Sequence, residues 1–315
     1  MLTFIVRRIL QTIIILFIVS VIVFLIMHLL PGDPVEIMMG DYASQEEMEE
    51  MREELGLNKP LPLQYVHWVS NVLQGDLGQS IAYNQSVNDL VKQRLPISFH
   101  IGFLSFALAI IIGIPAGIIA AVKRGGWLDS LITVTANLGM AVPVFWLGIL
   151  GVYLFSLQLG WLPVQGYTSP GEDFWRSMHQ SIMPVVLLSL ISLASLTRQT
   201  RSSMLEVIRQ DYIRTARAKG LTESRVILKH ALRNALIPVI TILGMGLAHL
   251  VGGSVFIEQV FNIPGMGRLM VQSIFGKDYI VVQSVVLIIA SVVALGNLAV
   301  DIAYGFIDPR IRYKG

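Results

Sequence analysis

Cysteine is absent from the 315 residues, which excludes disulfides and thiolate chemistry. Charge is scarce as well: 14% of residues are charged against 54% hydrophobic, and the mean hydropathy is +0.67. That balance argues against a soluble chain. No GxxxxGK[ST] phosphate cradle occurs, so the sequence gives no sign that the chain itself binds ATP. The six histidines are scattered and no pair has H-x-x-x-H spacing, so no metal site is expected. No catalytic group is assigned either. Internal repeats, low-complexity tracts and the short alternating strands of a membrane barrel are all missing.

Long apolar runs are what the chain has instead. About 20 helical residues cross the ~30 Å hydrocarbon core of a bilayer, and six runs approach or exceed that length: about 9–30, 97–122, 131–159, 181–198, 236–257 and 280–307. The fourth is the weakest, because its apolar stretch reaches only from Ile182 to Leu196. Lipid leaves helices and closed barrels as the only spanning structures. The expected fold class is therefore all-α, a polytopic membrane protein with about six transmembrane helices. Arg7 and Arg8 before the first run would suit a signal peptide. That run is longer than a signal core, however, and is followed by LPGDP rather than a small-residue cleavage site, so it reads as a retained helix.

The cations give the orientation. Of the 23 lysines and arginines, 16 fall on one side of the alternating spans and 7 on the other. The richer side holds Arg7, Arg8, the segment 198–233 and the final residues, so both termini are expected in the cytoplasm. The long segment 31–96 then lies outside. In it Ser44 and Glu47 form a capping box that opens a helix to about Leu55, with Gly56 as the stop. LNKPLP breaks the chain, and a second helix, LQYVHWVSNVLQ, ends at Gly75. This reads as a small helical cap on the outer surface, with a contact surface for an external partner as the alternative. The expected organisation is an N-terminal transmembrane helix (1–30), an extracytoplasmic helical insertion (31–96), a core of five transmembrane helices (97–307) and a cytoplasmic tail (308–315).

One stretch interrupts the apolar pattern: DYIRTARAKGLTESRVILKHALRNALIP, residues 211–238. Asp211 to Lys219 reads as a short helix in which Tyr212, Ala216 and Gly220, with Ile213 alongside, make a narrow face. Gly220 is a natural stop and Thr222 a cap for the next helix. In that helix Ile227, Leu228, Ala231, Leu232, Ala235 and Leu236 form an apolar stripe, Arg225, Lys229 and Arg233 a basic one, and Pro238 marks entry to the fifth span. A membrane-surface helix held to anionic headgroups has this pattern, and so does a docking element for a cytoplasmic protein. A DNA-binding helix pair is disfavoured, because the stretch is pinned between two spans without a free recognition face.

RTARAKGL followed by a basic amphipathic helix resembles the cytoplasmic EAA loop of ABC importer permeases, in the version of the dipeptide/oligopeptide/nickel/glutathione group. The likeness covers essentially the whole chain in order: VRRIL, LPGDP, LGLNKPL, GDLGQS, LGWLP, RSSMLEV, HALRNALIP, GGSVFIEQVFNIPGMG and DPRIRY. Ala216 and Gly220 match the Ala and Gly of the general pattern. Arg214 stands in place of its Glu, Thr215 in place of the following Ala, and Arg233 where its later Pro would fall, with Leu-Ile-Pro at 236–238 as an alternative.

The resemblance implies an ABC type I importer permease. It also implies that the loop of about 199–235 is the coupling element, carried by Tyr212, Ile213, Arg214, Thr215, Ala216, Arg217, Ala218, Lys219, Gly220 and Leu221 and seated in a groove of an ATPase. The implied partners are a homologous permease in a heterodimer, two ATP-binding subunits that hold the ATP and Mg, an extracytoplasmic solute-binding protein and the lipid bilayer, with no nucleic acid. The chain itself would hold no cofactor and catalyse no bond chemistry. The implied location is a bacterial or archaeal cytoplasmic membrane, and the implied cargo is short peptides, nickel chelates or glutathione.

Ionisable groups inside spans are costly and are functional candidates by default. His249 falls in the fifth run as a pathway candidate. Asp301, in the sixth, is expected to form a structural ion pair near the cytoplasmic end with an arginine of the 198–233 loop. Gly113 and Gly117 around Pro115 make a close-packing GxxxG face, and Pro143 interrupts the third run. EQVFNIPGMG, rich in turn residues, lies near the extracytoplasmic gate in related permeases, which makes Glu258, Asn262 and Gly265 gate candidates. The competing reading is an ion-gradient-driven secondary transporter. It calls for a mid-membrane carboxylate in a broken helix and usually an inverted repeat. Asp301 is off-centre and the two halves of the chain do not match.

Overall fold

The computed structural model describes residues 2–29, 35, 44–54, 56–252 and 254–307. The LPGDP motif at 30–34, the DPRIRY motif at 308–313 and the tail 308–315 lie outside the described residues. The described elements are helices. In order they are α1 (Leu2–Leu29), α2 (Gln45–Glu54), α3 (Leu61–Leu73), α4 (Val87–Val122), α5 (Trp127–Ala141), α6 (Val144–Gly151) and α7 (Phe174–Ile208). Then follow α8 (Asp211–Ala218), α9 (Glu223–Arg225), α10 (Leu232–Gly252), α11 (Val255–Val260), α12 (Met266–Phe275) and α13 (Tyr279–Ile307). Two π-helical segments, Val152–Gln158 and Val226–Ala231, extend α6 and join α9 to α10. The only extended pairing among the described residues is one isolated bridge, Gln79 with Ser86.

Among the described residues, α1, α4, α7 and α13 are long and apolar enough to cross a membrane. The α5–α6 pair makes a fifth span if it is counted as one. The remaining expected run, the fifth, falls on α10, whose 21 residues reach about 31 Å at 1.5 Å per residue. The third run is not a straight span: α5 and α6 meet at 101°. Val142 and Pro143 are both extended at that corner, as expected where proline disfavours helix for the residue before it and supplies no N–H of its own.

The weakest run in sequence, the fourth, becomes the central helix. Half of α7's membrane window is buried inside the protein, against 22% for α1, and Ser177, Ser181, Ser189, Thr197, Thr200 and Ser203 are among its buried residues. A helix that faces protein rather than lipid can carry hydroxyls, and these lower its hydropathy. Its tightest neighbour is α4. A methyl added at Gly113 would lie 3.0 Å from the Leu193 carbonyl oxygen, and Thr197 Oγ1 donates to the Gly113 carbonyl at 3.2 Å. The GIPAG glycines are thus the contact surface of this helix pair, and α4 runs unbroken through Pro115.

The turn between α4 and α5 is tied to α7 by a two-pronged ion pair. Arg201 Nε and Nη2 donate to Asp129 Oδ1 and Oδ2 at 2.6 and 2.8 Å, and the Gly125 amide donates to Oδ2 at 3.0 Å. The Asp129 side chain is only 8% exposed. Neither residue stands out in the sequence. Arg201→Met leaves that carboxylate without its cation and is expected to cost about 2–4 kcal/mol, between the values for exposed and buried pairs. Arg201→Lys recovers only part, since an ammonium cannot grip both oxygens in the same fork. Apparent melting temperatures of the purified chain in detergent would rank the three proteins; equal values for wild type and Arg201→Met would refute the claim.

The capping box forms as expected. The Ser44 amide and hydroxyl both donate to Glu47 Oε2 at 2.8 Å, and the Glu47 amide returns a bond to Ser44 Oγ at 3.2 Å. Those donors hold the Glu47 carboxyl below its usual range. The box's contribution is therefore intact above that range and is lost as pH falls through the lowered value. Gly56 and Gly75 end the two helices with positive φ of 69° and 87°. Residues 87–96 of the expected insertion are the opening turns of α4.

Candidate functional site: the 211–238 loop and the carboxylate knot

The 211–238 stretch is bolted to the bundle. Ile213 and Ala216 of α8 are buried with Val226, Ile227, Ala231 and Ala235, against Ala121 at the end of α4 and Met204 of α7. Fully burying an isoleucine such as Ile213 stabilises by roughly 1.5–3 kcal/mol, enough to fix α8 on the helix ends. Gly220 turns the chain with φ +76°, and Arg217 braces the turn with two bonds to Glu223 at 3.1 and 2.7 Å. The guanidinium holds the Glu223 carboxyl below its ordinary range. The pair is therefore formed at neutral pH and is lost only as pH drops through the lowered value.

Three details differ from the expectation. Ala216 faces the protein's own core, whereas Tyr212 is exposed and its hydroxyl accepts from Asn234 Nδ2 at 2.7 Å. One helix face cannot hold both, and the bulk of Tyr212 is excluded from the core that the small Ala216 fits. Thr222 occupies the cap position but makes no side-chain capping bond. Pro238 lies inside α10 rather than at its start, so the basic stripe and the fifth run share one rod. The outward surface of the loop is Tyr212, Arg214, Thr215, Arg217, Ala218, Lys219 and Gly220, with Leu221 half-buried.

At the opposite end of the bundle, EQVFNIPGMG is two short helices, α11 and α12, joined by a tight turn. Glu258 is completely buried. Its Oε1 accepts from Ser98 Oγ of α4 and Ser254 Oγ, both at 2.6 Å, and its Oε2 accepts from the Arg268 amide at 3.0 Å. That amide belongs to the first turn of α12, so the carboxylate sits where the helix dipole favours it. Ser98 Oγ in turn accepts from the Met266 amide at 2.8 Å. Any side chain at Gly265 would fall on the carboxylate. Asn262 has φ +54°, and its carbonyl accepts from Arg268 Nη1 at 3.1 Å.

Three of the four gate or pathway candidates therefore meet in one knot. The fourth, His249, contributes its backbone to α10, and its side chain lies outside the described residues. Ser98, Ser254 and Arg268 belong to the knot although sequence reasoning missed them. Ser254 and Glu258 at i, i+4 were the available signal. A second carboxylate of this kind, Asp278, also buried, was missed too. It accepts from Ser80 Oγ at 2.6 Å and the Ala82 amide at 3.0 Å, tying GDLGQS to the start of α13.

Asp301 does form an ion pair, but not with the 198–233 loop. Its partner is Arg8 of α1 at 3.2 Å, because α1 packs along α13 and brings the N-terminal cations to that end. Among the described residues no cluster of histidine and carboxylate groups is arranged to hold a metal ion.

With this geometry in view, the chain matches the family model described as binding-protein-dependent transport system inner membrane component over residues 113–313. The corresponding N-terminal model matches residues 1–102. An oligopeptide transport system permease of Bacillus subtilis is 43% identical over 99% of this chain and 100% of its own. A glutathione transport system permease of Pectobacterium atrosepticum is 45% identical over 100% of both. A probable peptide ABC transporter permease of Sinorhizobium fredii is 42% identical over 98% of this chain and 99% of its own. The inward-facing MetNI methionine ABC transporter aligns with a TM-score of 0.58 at 21% identity, over 70% of this chain and 96% of that one; this is a likeness of fold.

Proposed function

This chain belongs to the binding-protein-dependent transport system inner membrane components, and from that premise we propose that it forms one half of an ABC importer's path for short peptides, glutathione-like ones included. The relatives named for oligopeptides, peptides and glutathione support that cargo class. A homologous permease supplies the other half. Two ATPase chains on the cytoplasmic side provide the energy, and a solute-binding protein delivers cargo outside. The cation distribution supports cytoplasmic termini and loop 199–235. The chain is then a transport subunit, with ATP and Mg held by its partners.

The observation that carries this reading is the seating of α8. Ile213 and Ala216 anchor it to the ends of α4 and α7, and its other face is left outward. A push on α8 from a closing ATPase dimer is thereby transmitted to the two most closely packed spans. Glu258, with Asn262 and Gly265, is proposed to hold the opposite, extracytoplasmic end. The ion-driven alternative lacks its carboxylate: among the described residues the buried ones, Asp129, Glu258 and Asp278, are each committed to structural donors.

The test follows from the two faces. Ala218→Trp and Lys219→Glu alter only exposed positions, whereas Ala216→Trp would also disrupt the chain's own core. Tagged wild type drawn from its native membranes in mild detergent should bring down ATPase activity. Both variants should lose at least about tenfold of it, as for a central interface contact, at unchanged membrane level. Failure of wild type to capture an ATPase, even after cross-linking, would end the importer reading.

A further inference from the structure

α3 has three faces rather than two. One faces α1: the Tyr65 hydroxyl bonds to Ser20 Oγ at 2.8 Å, its ring stands edge-on to Phe24 at 5.4 Å, and Trp68 lies 6.0 Å from the same ring. A second is polar, with Gln64, His67 and Asn71. The third is apolar and open: Val66 is 62% exposed and Leu73 82%. At 100° per residue the open apolar pair lies about 130° round the helix from His67 and Asn71. No charged residue occurs anywhere in α3.

The contacts with α1 fix the depth of this helix. Arg8 and His28 bracket the apolar stretch of α1, and twenty residues at 1.5 Å make about 30 Å, the thickness of the hydrocarbon core. Ser20 lies eight residues inside His28, about 12 Å along the axis. Ser20 Oγ donates to the Phe17 carbonyl at 2.8 Å and so receives the Tyr65 proton, a closed chain that needs no water. His28 Nε2 lies 3.1 Å from Gln64 Oε1, which sets the polar edge of α3 at the boundary. The open side of α1 at the same depth is Ile18, Ile22 and Leu25, each exposed, the surface of a helix in lipid.

We propose that α3 is not a cap standing in water but an interfacial membrane helix, with Val66 and Leu73 in the acyl region of one leaflet and His67 and Asn71 in water. Such a helix buries its apolar face about 5–10 Å into the headgroup–acyl boundary, and from there the Tyr65 side chain reaches on to Ser20, about 12 Å in. Only the identification of that leaflet as the outer one rests on the proposed orientation.

The absence of native cysteine makes the test direct. Val66→Cys, Leu73→Cys, His67→Cys and Asn71→Cys, each carrying a nitroxide, are placed in the full chain reconstituted in phospholipid vesicles. Relaxation by oxygen, which partitions into lipid, is compared with relaxation by a water-soluble nickel chelate. Oxygen should dominate at 66 and 73 and the nickel chelate at 67 and 71, a reversal of the ratio within one helical turn. Nickel dominance at all four positions would return α3 to water and overturn the proposal. Exclusion of both reagents at 66 and 73 would overturn it in favour of a protein partner. Loss of ATPase capture in the preceding experiment would leave these ratios unchanged, so the two readings fail separately.

Discussion

Gly117→Leu is expected to leave almost no folded chain in the membrane, and Gly117→Ala to cost about 2 kcal/mol, within the usual range for overpacking a tight contact. A methyl at Gly117 would lie 2.6 Å from Thr200 Cβ and 2.7 Å from the Thr197 carbonyl oxygen of α7. The second atom is backbone, so relief requires α7 itself to move. The whole reserve of a folded domain is only about 5–15 kcal/mol, and leucine adds three more carbons to the same place. Gly139→Ala is the control, because its methyl would meet Leu190 at an ordinary 3.8 Å and alanine is the better helix former. Fluorescence-detected size-exclusion of the tagged chains should give a monodisperse peak for Gly139→Ala, a less heat-resistant one for Gly117→Ala and none for Gly117→Leu. A normal peak for Gly117→Leu would show that α4 and α7 do not meet as described.

Glu258→Ala is expected to destabilise by roughly 3–4 kcal/mol, because removing one carboxylate strands the Arg268 amide and disturbs two serine hydroxyls in a buried site. Glu258→Gln should fall between, since its amide can replace one acceptor but presents hydrogens to the other donors. Gly265→Ala provides a second handle: in wild type its methyl collides with the carboxylate, but once Glu258 is alanine the collision is gone. The two substitutions should therefore cost less together than the sum of their separate costs, by about 1 kcal/mol or more in a double-mutant cycle. Strict additivity would mean that the knot is not a unit. If the knot also holds the extracytoplasmic gate, Glu258→Gln should lower uptake at a temperature where the purified complex is still folded. Uptake at the wild-type rate under those conditions would confine Glu258 to a structural role.

The local features are legible in the sequence because they are local. Long apolar runs, the Ser44–Glu47 box, the stops at Gly56, Gly75 and Gly220, and the basic loop at 211–238 are each set by residues within a few positions of one another. The family resemblance rests on the same kind of short-range pattern, so the amino-acid order suffices to show it. Tertiary structure alone decided which face of each helix looks inward. In a membrane the lipid side and the core side are both apolar, so the periodicity that separates inside from outside in water carries little signal. This is why Ala216 rather than Tyr212 entered the core, why the hydroxyl-rich fourth run proved central, and why α3 could pass for a soluble cap. The same holds for polar partners. Asp301 needed a cation and Glu258 needed donors, but only the packing of α1 on α13 and of α11 and α12 on α4 determined that these are Arg8, Ser98 and the Arg268 amide.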